Sequence, residues 1–228
     1  MKTRVVGILA LAVAITTLVL AVIMAGGEVT ATPATTLEEK IESLGDPGLL
    51  FYLAYVNAVL ITILGVAMFA GFFAYYRDKA GLWSTIAFAF VPIYGLGNII
   101  AYSSQVFVVP HLLDLYHQPE TRMIAQVLLG LAIHNWYGTA IEALNILSYA
   151  ILGIPSIIFA VIMFKTKGLR VGSILLALSG VLSFVAVVGV ATQNLILGMM
   201  TLVSAAMYMV SLVIIGVFFV RQPAMEGN

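Results

Sequence analysis

The chain has 228 residues, of which 62% are hydrophobic and 9% charged, and its mean hydropathy is strongly positive. A soluble domain of this size needs a charged shell that such a composition cannot make, so the apolar surface must face lipid. The net charge is zero, which offers no basic field to nucleic acid, and the absence of cysteine excludes disulfides, thiolate metal sites and cysteine nucleophiles.

A bilayer core of about 30 Å is crossed by about 20 apolar residues in a helix. Six stretches reach that length, at about 5–24, 49–76, 82–109, 139–164, 171–192 and 195–220. They are twice as long as barrel strands and do not alternate in polarity. The predicted fold is therefore all-α, a polytopic membrane helical bundle of six transmembrane helices. It forms one integral membrane domain over 1–228.

In chain order, Lys2 and Arg4 precede the first span, a pattern shared with cleaved signal peptides, and Ala25-Gly26-Gly27 follows it. The run is long for a signal core, so it is read as a retained span. Thr36 and Glu39 then have capping-box spacing, Leu37, Ile41 and Leu44 share a face, and Gly45 can close the turn. A short amphipathic helix is expected there, with Asp46-Pro47 as cap and first residue of the second span. That span contributes Tyr52, Tyr55 and Asn57. Pro92 should kink the third span, where Tyr94, Asn98, Tyr102 and Gln105 recur at helical spacing on one face.

Between the third and fourth spans, Pro119 and Glu120 begin a helical pattern through Ile124, Val127, Leu128 and Leu131, and Trp136 and Tyr137 suit the headgroup level. Asn135, Thr139, Glu142 and Tyr149 line a face of the fourth span with Asn145 at its edge, and Gly153-Ile154-Pro155 should kink it. Ser179-xxx-Ser183 marks a close helix contact in the fifth span. Thr201, Ser204, Tyr208 and Ser211 align in the sixth.

Charge decides the sidedness. One set of loops and ends holds Lys2, Arg4, Arg77, Lys79, Lys165, Lys167, Arg170 and Arg221; the other holds Lys40 and Arg122 among seven acidic residues. The positive-inside rule places both termini in the cytoplasm and the amphipathic helices in the outer loops of the cell membrane. Splitting 123–164 into two spans would export the 165–170 cluster against that rule, with no Gly/Pro turn to divide the halves.

With that orientation the polar side chains lie in the outer half of the bundle, while the inner halves carry almost none. This predicts an outward-facing polar pocket closed below, with Tyr94, Asn98, Tyr102, Gln105, Glu142 and Asn145 as the candidate ligand-binding set. The serines and threonines read as interhelical hydrogen bonds. Glu142 is the one ionisable residue proposed within a span, placed either at the outer interface or buried with a raised pKa. His111, Asp114 and His117 offer imidazole and carboxylate ligands for zinc or copper. On a helix, however, His111 and His117 diverge by about 120°.

In the region 149–180, Met163-Phe164-Lys165, Gly168-Leu169-Arg170 and Gly172-Ser173-Ile174-Leu175-Leu176-Ala177-Leu178-Ser179-Gly180 follow one another. With the basic start and the acidic outer loop, this layout resembles the domain of unknown function 4386 family, six-helix prokaryotic membrane proteins. The resemblance implies the fold and no activity. Trp136-Tyr137-Gly138 is also similar to a run in haem–copper oxidase core subunits, but Thr139 and Ala140 stand where the haem-ligating histidine is expected.

The leading reading is a non-enzymatic membrane protein that binds a small molecule, lipid headgroup or ion, or serves as a subunit beside a membrane-protein partner or a second copy. The alternatives are a metal-dependent membrane enzyme using His111, Asp114, His117 and, as a further ligand, His134 at the outer surface, and a transporter hinged at Pro92 and Pro155 in which Glu142 couples to protons. The cofactor is unknown. Membrane-impermeant labelling of intact cells should leave the segment 165–170 unmodified; its reaction from the medium would overturn the topology.

Overall fold

The computed structural model describes residues 2–28 and 34–222; the residues 1, 29–33 and 223–228, and with them both chain ends, lie outside the described residues. Ten helices follow in order: α1 (Lys2–Glu28), α2 (Leu37–Leu44), α3 (Leu49–Ala80), α4 (Leu82–Phe107), α5 (Val109–Tyr116), α6 (Arg122–Ala132), α7 (Ala140–Phe164), α8 (Arg170–Ala191), α9 (Leu195–Gly198) and α10 (Met200–Arg221). No strand occurs among the described residues. Six regions are long and apolar enough to cross a membrane: Thr3–Gly26, Leu49–Ala80, Leu82–Tyr116, Ala140–Phe164, Arg170–Ala191 and Leu195–Arg221. Helices are the economical answer to lipid, because each satisfies its own backbone where no water is at hand. The protein is a multi-pass helical membrane protein.

The long helices form a closed ring. α1 packs on α3, α3 on α4, α4 on α7, α7 on α8, α8 on α10, and α10 returns to α1. Lipid gives no hydrophobic drive for this, so close packing and hydrogen bonds must supply it. Two joints show how. The α7–α8 pair meets at Gly153 and Gly180, where a Cβ on either would lie 2.7 Å from the other's carbonyl oxygen. The α1–α10 pair meets at Gly7 and Gly216, where a Cβ on Gly7 would lie 2.7 Å from the Gly216 oxygen. Between α8 and α10, Ser204 Oγ lies 2.9 Å from Ser183 Oγ and donates to the Ser179 carbonyl at 2.8 Å. Ser183 and Ser204 thus act as the sequence reading has them, as interhelical bonds, whereas Thr62, Ser148 and Ser156 donate to carbonyls of their own helix.

The ring divides into two chemical halves along its length. Towards the end bearing Arg77, Lys79, Lys165, Lys167, Arg170 and Arg221, its middle is plugged by Phe69, Phe72, Phe159, Phe219, Met68 and Met163, all 0% exposed. Ring centroids of Phe69, Phe72 and Phe159 stand 5.6–5.8 Å apart, in the tilted and edge-on arrangements that aromatic quadrupoles favour. The opposite half carries tyrosine, asparagine and glutamine.

Over that polar end lies a cap of α2, α5 and α6, with its own core of Ile41, Val109, Leu112, Leu113, Leu129 and Ile133. The expected capping box is present: the Glu39 amide donates to Thr36 Oγ1 at 3.2 Å, and the Thr36 amide donates back to Glu39 Oε2 at 3.2 Å. Arg122 Nη2 latches α6 to α2, donating to Glu38 Oε1 at 3.2 Å and to the Tyr116 hydroxyl at 3.0 Å. The outer face of α6, with Met123, Ile124, Val127, Leu128 and Leu131 exposed, is as apolar as its pattern predicts.

Two local expectations are corrected, and one helix is added. Gly48 takes the extended N-cap conformation of α3, without a side-chain cap, so Asp46-Pro47 precede the helix instead of starting it. Pro119 and Glu120 sit in a turn: the Thr121 hydroxyl donates to the Leu115 carbonyl at 2.6 Å, and α6 begins only at Arg122. Before that turn α5 forms a helix the pattern did not suggest, with Pro110 in its first turn, where a missing N–H costs nothing. Pro92 and Pro155 lie inside continuous helices.

The glycine joints give a direct test. Gly180→Val forces a side chain into the Gly153 carbonyl, and overpacking of this kind costs about 1–3 kcal/mol or more. The thermal midpoint in detergent should fall by several degrees. Gly26→Ala, inside α1 and with nothing within 4 Å of its Cβ, should not lower it.

Candidate functional site

The polar half of the ring is organised around the turn between α6 and α7. Asn135 and Gly138 take left-handed backbone angles there, φ 56° and 87°, which reverse the chain in a few residues. Three side chains hold the turn. The Gln105 amide grips it twice, donating through Nε2 to the Ala132 carbonyl at 2.7 Å and accepting the His134 N–H at 3.0 Å. Thr139, the N-cap of α7, donates to the Ile133 carbonyl at 2.8 Å and accepts the Glu142 N–H at 3.1 Å. Glu142 Oε2 accepts the Asn135 N–H at 2.9 Å. A carboxylate in the first turn of α7 also faces the positive end of that helix dipole.

Held in this way, the turn directs the His134 imidazole into the bundle. Its ring stands 5.6 Å from the Tyr55 ring and 5.6 Å from the Tyr102 ring. Nδ1 lies 3.4 Å from the Tyr55 hydroxyl, and Nε2 lies 3.8 Å from Glu142 Oε2. With Tyr55 donating to Nδ1, the imidazole proton sits on Nε2 and faces the carboxylate. Deeper in the ring, the Tyr102 and Tyr149 hydroxyls meet at 2.6 Å, Asn145 Nδ2 donates to Asn98 Oδ1 at 3.2 Å, and Tyr94 stacks obliquely on Tyr149 at 6.2 Å.

The two polar faces inferred from sequence therefore converge. Tyr94, Asn98, Tyr102 and Gln105 from α4 meet Glu142 and Asn145 from α7 in one cluster. Its walls are covered: Asn98 is 0% exposed, Gln105 1%, Tyr94 2%, Tyr102 5% and Asn145 6%. Glu142 is the most accessible member, its side chain 18% exposed at the start of α7, so it sits at the mouth of the cluster.

Tyr149 joins the cluster from the α7 face on which the pattern set it, and Tyr55 and His134 complete a set that the α4 and α7 patterns alone did not assemble. Tyr149 repeats every seventh or so residue with Glu142, a signal already in the sequence; His134 enters only through the reversed turn, which no periodicity encodes. Asn135 and Thr139 belong to the turn and the cap, not to a helix face, because α7 begins at Ala140.

Two buried nitrogens in the cluster lack hydrogen-bond partners, Asn98 Nδ2 and His134 Nε2. Such groups cost about 1–3 kcal/mol each when left unmet, which a ligand supplying acceptors would recover. The groups gathered here are amides, phenols, an imidazole and one carboxylate, all of them hydrogen-bonding groups.

The other sequence-derived site does not gather. His111 and Asp114 stand exposed on α5 and His117 exposed at its end, spread around the helix as their spacing dictates. Among the described residues no three His, Asp or Glu side chains come together as a metal site. The sixth-span row serves packing, through Ser204 and the buried Ser211. Asn57 ties α3 to α1, donating to the Thr16 carbonyl at 2.9 Å.

Comparison with known families, curated proteins and solved structures returns no family model, no curated protein and no solved structure that matches the chain.

Burial pushes the His134 imidazole below its ordinary value of 6.5, opposed by the nearby Glu142 carboxylate. A base whose pKa is lowered on folding binds fewer protons in the folded state than in the unfolded one. Its contribution is whole above pH 6.5 and is lost as the pH falls below it. Hydrogen exchange of the α6–α7 turn amides, corrected for intrinsic rates, should show less protection at pH 5 than at pH 8. His134→Gln should abolish that difference, and equal protection at both pH values would contradict the assignment.

Proposed function

We propose that this chain is a non-catalytic binding protein of the cell membrane, both termini cytoplasmic, that holds a small polar molecule in the cluster beneath the cap. The carrying observation is the pair of unpartnered buried nitrogens, Asn98 Nδ2 and His134 Nε2, inside an otherwise hydrogen-bonded cluster. Buried polar atoms are normally satisfied, so an orphaned donor inside a convergent polar cluster is the mark of an absent partner. Positive-inside sidedness supports the cap as the outer face. The resemblance to the domain of unknown function 4386 family is proposed as kinship and adds no activity.

The ligand carries hydrogen-bond acceptors and is neutral or a cation, since Glu142 at the mouth disfavours an anion. It reaches the cluster when the cap lifts, and the Arg122–Glu38 contact is the exposed latch that must open. An exposed pair of this kind is worth at most about 1 kcal/mol, so the latch itself adds little to the cost of opening. The phenylalanine plug below favours holding over passage, because a permeant would have to part Phe69, Phe72, Phe159 and Phe219.

Thermal unfolding of the full chain against a panel of small polar solutes tests this reading. At least one solute should raise the midpoint of the wild type and not of Asn98→Leu, while the variant alone stays folded. A panel that shifts neither protein, or shifts both alike, would sink it.

A further inference from the structure

A second feature lies at the other end of the molecule, on the lipid-facing side of α10. A groove of about 550 Å³ runs along Val213, Ile214, Val217 and Phe218 and ends at Arg221 and Gln222. Gly168, in the connection between α7 and α8, forms its remaining wall. That glycine has φ +95°, and a Cβ there would lie 3.1 Å from the Phe218 ring, so the side-chain-free residue keeps the head of the groove open.

We propose that this groove binds one anionic glycerophospholipid, its acyl chain along the α10 side chains and its phosphate on Arg221. Length is the first argument. From Val213 to Arg221 the helix rises about 12 Å at 1.5 Å per residue, close to the roughly 15 Å of hydrocarbon in one leaflet. The guanidinium therefore stands where a headgroup would be when the chain lies in the groove. Polarity is the second: the walls are apolar until the last turn, where a planar donor fork suited to phosphate and a carboxamide take over.

Charge is the third. Lys165, Lys167 and Arg170 lie in the connection that also carries Gly168, or at its end. Asp78, in the last turn of α3 and the one acidic residue of this end among the described residues, lies 3.5 Å from Arg77. Arg221 is exposed and pairs with no acidic side chain among the described residues. Juxtamembrane cations attract acidic lipid by about 1 kcal/mol each. The carbonyls at the end of α10 oppose an anion, and Arg221 in that last turn offsets them.

Native mass spectrometry of the full chain, released from detergent with phosphatidylglycerol, phosphatidylcholine or inorganic phosphate, tests the proposal. The wild type should retain one phosphatidylglycerol in preference to phosphatidylcholine. Arg221→Gln should weaken that retention about fivefold, the factor that ~1 kcal/mol represents. Val213→Trp, at a position 43% exposed and tolerant of bulk, should weaken it too by filling the groove while leaving the charge. Equal affinity for the two lipids, or undiminished retention in either variant, would overturn the site. So would inorganic phosphate that competes fully with the lipid, because the groove would then have no part in binding. A crosslinker placed at Ile214 should label phosphatidylglycerol in nanodiscs even if the tryptophan variant does not fold, and its failure to label would also count against the site.

Discussion

Hydrocarbon accepts no hydrogen bonds, and every polar atom in the long helices has been placed under that constraint. Backbone groups are answered inside each helix; most hydroxyls are answered by the carbonyl one turn back, as at Thr62 and Ser156. What remains is turned towards the ring's middle or into its joints. The Ser183–Ser204 contact and the Asn57–Thr16 bond join neighbouring spans at points where lipid is already excluded by packing. Once outward-facing polarity is forbidden, a ring of six amphiphilic rods must gather its polar residues at a common place.

That gathering is uneven, and the unevenness is chemically simple. Phenylalanine dominates the plug and tyrosine the polar cluster, so two packings of similar rings differ by a set of hydroxyls. The phenylalanines pack to 0% exposure and close the middle of the bundle. The tyrosines of the cluster find partners in each other and in histidine, the asparagines pair together, and two nitrogens are left unmet. A polar cluster and an apolar seal are made from one architecture with one atom changed per ring.

The sequence made legible what depends on length, hydropathy and period. Six spans, the α2 capping box, the apolar stripe of α6 and the α4 row of Tyr94, Asn98, Tyr102 and Gln105 are all periodic or local signals. The convergence of the α4 and α7 rows needed the ring closure, which no local pattern contains. His134 was hidden for a different reason: its direction is set by Asn135 at φ 56° and by the Gln105 amide 29 positions earlier, a long-range clamp on an irregular turn. The helix at α5 escaped because eight residues with proline in the first turn give too short a period to separate from the end of the preceding span.

The Gly7–Gly216 joint unites the first membrane helix with the last. Every other joint of the ring links spans that follow one another, so each can zip as soon as its second member has entered the bilayer. This one must wait for α10. Until then the flanks of α1 and α8 are open to lipid, and the phenylalanine plug lacks Phe219. Closure of the ring is therefore a single latching event that both seals it and orders its core. A chaperone or quality-control factor watching for unfinished chains would need to sense only that one seam.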